Sequence, residues 1–274
     1  MLRRSIFTIS AALVAFSTIA LAQGKPPDAK NTKKDGNKEV PKLCAEMKKL
    51  VDAKKDDEAI DKPMAELVKN FEEYGPKDQK LVADAVTKNF DVLRIPAEPN
   101  GDGGGRSSEK PEGEQCRLFQ SSIVALSQFH ELGAERLIQI YEKPDFKKAK
   151  RFRGRILQMI GKTEDPGSVK FLLDKLKDKD DIIVADSITA LGNYTKAKEE
   201  LRREIIDKLI KDFISSQGQA NDTSTPQGKV AKDRYDLIAP SMIDTLQRLS
   251  NQSALRDPRE WEKWWQKNKK KPLS

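Results

Sequence analysis

Histidine, cysteine and aromatic residues are scarce in this chain, and each shortage closes a class of chemistry. A single histidine, His130, leaves no second imidazole for a nucleophile–base pair elsewhere in the chain. Two cysteines, Cys44 and Cys116, together with that histidine fall short of the four ligands of a structural zinc site. A bridge between the two thiols and two separate buried thiols both stay open, because several expected helices separate them and a disulfide needs their Cα atoms within about 7 Å. Carboxylates are too numerous, at 43, for any one pair to point to acid–base work. No catalytic residue, metal site or cofactor is therefore expected, and an enzyme with surface carboxylates is the third-ranked class of function. Long apolar runs are missing after the first 22 residues, so no later segment is expected to span a membrane.

Charge, in contrast, is abundant. Lys and Arg number 51 against 43 acids, a net +8, and both signs are interspersed. Nucleic-acid domains concentrate their basic side chains on one face, so nucleic acid is not an expected partner. Only 37% of the residues are hydrophobic, which suits a stack of helices with a thin core better than a compact globule.

The N-terminus reads as a signal peptide over residues 1–22. Arg3 and Arg4 precede the apolar stretch from Ile6 to Leu21, and Ala20-Leu21-Ala22 supplies the small-x-small cleavage pattern. Thr8, Ser10, Ser17 and Thr18 dilute that stretch below the length of a membrane span. The expected location is outside the inner membrane, periplasmic or extracellular. Residues 23–40 are rich in Lys, Pro, Gly and Asn and are expected to be a disordered leader.

Beyond that point the apolar spacing is helical throughout. Leu43, Met47, Leu50 and Val51, then Met64, Leu67, Val68 and Phe71, then Leu81, Val82, Ala85, Val86 and Phe90 form the stripes of an N-terminal helical group, residues 41–95. Residues 96–114 form a flexible loop, and its glycines 103–105 lack the strand and the Gly-Lys-Ser/Thr ending of a phosphate loop. No stretch shows the period-2 alternation of a strand, so the fold class is all-α.

From residue 115 to 217 a recurrence appears. Leu132-Gly133, Ile160-Gly161 and Leu191-Gly192 each read as the close of a helix, and Asp165-Pro166 reads as the cap and first residue of the next one. His130, just before the first of these closures, reads as a helix-end residue. A polar loop is expected over roughly 216–229, followed by C-terminal helices over 230–270. There Asp257-Pro258-Arg259-Glu260 reads as a capping box before Trp261, Trp264 and Trp265 on one helical face. The three Trp are expected to close the end of the stack, and a Lys-rich tail, 267–271, follows them.

These closures, the Asp-Pro opening and the Asp181…Ala185…Ala190-Leu191-Gly192 stretch resemble the HEAT-like repeat superfamily, in its short bacterial form. The resemblance implies an α-solenoid of antiparallel helix pairs, a HEAT-like or armadillo-like superhelix, whose surface mediates binding to a protein partner. The expected function is an exported scaffold. The alternative is binding of an anionic polymer or envelope surface through a basic run: Lys147, Lys148, Lys150, Arg151, Arg153 and Arg155. Phe152, Ile156 and Met159 should face the core, which leaves most of these cations on the solvent side of one helix.

Overall fold

The computed structural model describes residues 35–53, 57–92, 116–147, 149–221 and 223–273. The expected signal peptide, most of the expected leader and the expected 96–114 loop lie outside the described residues. Eleven α-helices are described and no strand among them, so the fold is all-α. They are α1 (Glu39–Asp52), α2 (Asp57–Lys69), α3 (Pro76–Val92), α4 (Cys116–Ser127), α5 (His130–Tyr141), α6 (Lys150–Lys162), α7 (Val169–Lys175), α8 (Asp181–Leu191), α9 (Glu199–Ala220), α10 (Pro226–Ser250) and α11 (Pro258–Asn268).

Local chemistry starts several of these helices. Asp180 caps α8 by accepting the Ile182 N–H, and Thr225 caps α10 by accepting the Gly228 N–H with Pro226 at the first helical position. Asp257 accepts the N–H groups of Arg259 and Glu260 at the start of α11, which makes its half of the expected box. Asp165-Pro166 opens a 3-10 turn, Pro166–Ser168, and α7 follows directly from it.

The principal helix contacts all fall between helices one or two places apart in the chain. In one row α2, α4, α6, α8 and α10 pack in succession. In the other α1 packs on α3, α3 on α5, α7 on α9 and α9 on α11, while α5 meets the Pro166–Ser168 turn that leads into α7. One apolar core runs between the rows, from Val40 in α1 to Trp265 in α11. Within it Phe90, Phe119, Phe146 and Phe152 form an aromatic cluster, with Phe119 and Phe152 edge to face at 4.6 Å. Leu81, grouped with the apolar stripe of α3 on spacing, is instead 40% exposed.

The glycine recurrence has a different cause from helix termination. Gly192 does follow α8 as its C-cap, in right-handed conformation, but Gly161 lies inside the last turn of α6 and Gly133 in the first turn of α5. What they share is close approach. A Cβ on Gly133 meets the Leu126 carbonyl oxygen at 1.9 Å, and one on Gly161 meets the backbone of Ala190 at 2.4–2.8 Å. These glycines let backbones touch. His130 accordingly starts α5 rather than ending a helix, with φ +46° as the chain reverses out of α4.

Two expected loops are smaller than their composition suggests. Residues 216–229 are largely helical, because α9 continues to a buried Ala220 and α10 is already capped at Thr225. The end of the leader is pinned as well. Asp78 accepts the N–H groups of Gly36 and Asn37 at 2.8 and 2.9 Å, while Asp35 accepts that of Lys77 at 2.9 Å. Cys44 is a free, buried thiol, and the Cys116 side chain lies outside the described ones.

Gly161→Ala is expected to lower stability by about 1–3 kcal/mol, because the opposing atoms are backbone and cannot rotate away. Gly218→Ala, where nothing lies within 4 Å of the new Cβ, should raise it by up to about 1 kcal/mol. Thermal unfolding of both variants checks the pair, and equal melting temperatures contradict the close-approach role.

Candidate binding surface

The structure takes the basic run apart. Arg153 turns toward α5, stacks over the Tyr141 ring at 4.2 Å and donates to its hydroxyl at 2.6 Å. Burial pushes the Tyr141 hydroxyl far above its ordinary pKa, with the Arg153 charge opposing, so it stays protonated. Arg155, two residues on and therefore on another face, turns toward α4 and α8. Lys150 pairs with Asp180 at 2.9 Å at the start of α8. Arg151 is half-buried, Lys147 is exposed, and Lys148 lies outside the described residues. Lys150, Arg153 and Arg155 thus each reach a different neighbouring helix.

A second arrangement emerges along the row α2–α4–α6–α8–α10. Polar side chains bridge every seam of it. Arg117 in α4 donates to Asp61 in α2 at 3.0 Å. Arg155 in α6 donates to Gln120 in α4 at 3.3 Å and to Gln158 at 2.8 Å, and Gln158 donates to Asp186 in α8 at 2.9 Å. Arg234 in α10 reaches Asp181 at 2.5 Å, and Thr189 donates to Ser241 at 3.4 Å. Arg117, Gln120 and Val124 share one stripe of α4, and Arg234, Leu237 and Ser241 share one of α10. Val124 and Leu237 stand exposed on those stripes, at 38% and 44%. The surface is thus polar at its seams and apolar at isolated knobs.

Its centre is electrostatically tense. Asp186 is buried and sits opposite the half-buried Arg155. Burial pulls the Arg155 guanidinium down from its ordinary value, and the Asp186 charge works against that pull. Among the described residues Gln120 Nε2 and Asp61 Oδ1 are buried without a hydrogen-bond partner, which makes this seam costly to hold.

Other expected features divide similarly. Among the described residues no group of three His, Cys, Asp or Glu side chains gathers to hold a metal ion. The exposed His130 ring stands 3.8 Å from Glu72. No family model, curated protein or solved structure matches this chain. Function must then be argued from its own surfaces.

The Trp cluster belongs to the core. Trp261 and Trp265 are buried, Trp264 stands at right angles to Trp261 and stacks on Trp265, and α11 packs on α9. Trp265 Nε1 donates to Asp207 at 2.8 Å. Asp186, Gln120 and Gln158 were not picked out by spacing. The one signal for them was an acid inside the apolar helix DIIVADSITAL.

Three outcomes follow from this geometry. Asp186→Ala should cost about 2–3 kcal/mol by stranding Arg155 and Gln158, whereas Lys147→Ala should stay within about 0.5 kcal/mol; chemical denaturation distinguishes them. Trp emission should be blue-shifted and protected from acrylamide, and a red, freely quenched spectrum contradicts the buried cluster. Burial alone raises the Asp207 carboxyl, but hydrogen bonds from Lys211 and Trp265 outweigh it and hold the group below its ordinary value. Its stabilising contribution is complete above about pH 4 and fades as pH falls through the depressed folded value. Acid titration of Trp emission should show that step, and Asp207→Asn should remove it.

Proposed function

We propose that this chain is an exported binding scaffold: a HEAT-like α-solenoid of antiparallel helix pairs that recognises a protein through the outer stripes of α2, α4, α6, α8 and α10. The observation that carries this reading is the polar bridging of every seam in that row. A solenoid buries its apolar faces only against neighbouring units and so leaves a long, repeated surface for recognition. Packing confined to helices one and two places apart supports that architecture. The exposed apolar Val124 and Leu237 between polar seams suit the mixed chemistry of a protein interface. The basic run is a poorer candidate, since Lys150, Arg153 and Arg155 already have partners within the chain. Catalysis is not part of the proposal.

Photo-crosslinking separates the two rows. A benzophenone side chain at Val124 or Leu237 in the α4–α10 row should give the same discrete adduct when the protein is mixed with its source's envelope fraction. The same group at Leu81 on α3, equally exposed in the other row, should give none. Adducts from Leu81 alone, or from no position, contradict the assignment of the face.

A further inference from the structure

The last helix ends in lysines that the chain holds in place. Lys263, Lys267, Lys269, Lys270 and Lys271 are all exposed, and no acid follows Glu262. Among the described residues none of the five is in an ion pair. Lys269 and Lys271 donate only to the neutral amides of Gln266 and Asn268, at 2.7 and 3.4 Å. The lysines of α9 differ, for Lys208 pairs with Asp212 and Lys211 with Asp207.

A lysine tail at a chain terminus is ordinarily loose and solvated. Here its backbone is tied inward. Arg203 donates to the carbonyl oxygens of both Lys269 and Lys271, and Glu199 in turn accepts from Arg203 and from the Leu273 N–H at 3.1 Å. Lys269 N–H returns to the Trp265 carbonyl and Lys271 N–H to that of Asn268, each at 2.8 Å. Leu273 packs against the core, which closes the segment at its far end. With the peptide groups engaged inside, the ammonium groups project outward.

We propose that this fixed lysine tip docks on an anionic lipid surface. The partner must carry dense negative charge, because five exposed lysines outside any ion pair among the described residues crowd the tip, with Asp207 in reach of Lys269 alone. A linear polyanion is tracked by a groove. The five lysines lie instead on the exposed side of α11 and its extension, where α9 is the principal partner of α11 among the described residues. Contact stays at headgroup depth, because Trp261 and Trp265 are buried against the rest of the protein and unavailable for insertion. The ordering cost of the segment is already met within the fold, which favours docking. The inference is independent of the scaffold reading, and the two surfaces can act together.

The test is co-sedimentation of the full chain with vesicles of phosphatidylcholine alone and with 30% phosphatidylserine, read as the ratio of the two. Each lysine near an anionic surface contributes roughly a fivefold gain in partitioning, equivalent to about 1 kcal/mol. The ratio should therefore fall by more than about 100-fold in the variant Lys267→Gln, Lys269→Gln, Lys270→Gln, Lys271→Gln. Removing charge elsewhere, as Lys147→Gln with Lys150→Gln, should leave it within about twofold. Arg203→Lys keeps the charge but loses the two-carbonyl fork, and should weaken phosphatidylserine-dependent binding severalfold with the lysines intact. A ratio of one for the parent protein, or an unchanged ratio in the four-lysine variant, overturns the proposal. Binding to soluble polyphosphate without binding to vesicles overturns it as well, in favour of a polymer. An unchanged ratio in Arg203→Lys overturns the role of the fixed backbone.

Discussion

The backbone contact between α6 and α8 at Gly161 and Ala190 is the constraint on which the middle of the molecule depends. With no side chain between them, the two helices come close enough for Gln158 to reach Asp186 and for Ile156, Ile160 and Ile188 to share one core. A wider separation breaks the polar bridge and opens the apolar contact together. Recognition and stability are therefore coupled at this seam, because the residues that bridge it are also those that line the proposed surface.

Pairing of charges across helices is the second organising feature. Asp84 with Arg136 links α3 to α5, Asp91 with Lys143 links α3 to the turn that follows α5, and Glu142 with Lys175 links the end of α5 to α7. The other row uses amides as well as charges, and leaves some of their atoms unsatisfied. A chain that is 34% charged thus spends part of that charge on alignment of its helices, where the partly buried members are worth more than ordinary surface pairs.

Much of the fold was legible in the sequence because periodicity reports a buried face. Phe152, Ile156, Met159 and Ile160 fall where spacing puts them, and so do Val169 and Leu172. Capping chemistry marked Asp165, Asp257 and their prolines. Gly192 does close α8, but Gly133 and Gly161 were misread because a helix end and a close backbone approach demand the same residue, and only the neighbouring helix distinguishes them. The partners of the basic run were hidden for a related reason. Helical spacing shows that Arg153 and Arg155 point in different directions, but not that Tyr141, Gln120 and Asp186 wait there. Such partners are distant in sequence, and a single chain carries no trace of the pairing.

The first and last described segments are fastened by the same device, an acid receiving backbone N–H groups from a distant segment. Asp78 does this for Gly36 and Asn37, and Glu199 does it for Leu273. In a molecule whose contacts are mostly between near neighbours, fraying from the termini is the easiest route to partial unfolding. Carboxylate latches at both extremities raise the barrier to that route, so hydrogen exchange should begin in the interior connections rather than at the tips. Resistance to proteolysis at these two segments then rests on two carboxylates, Asp78 and Glu199, rather than on the core.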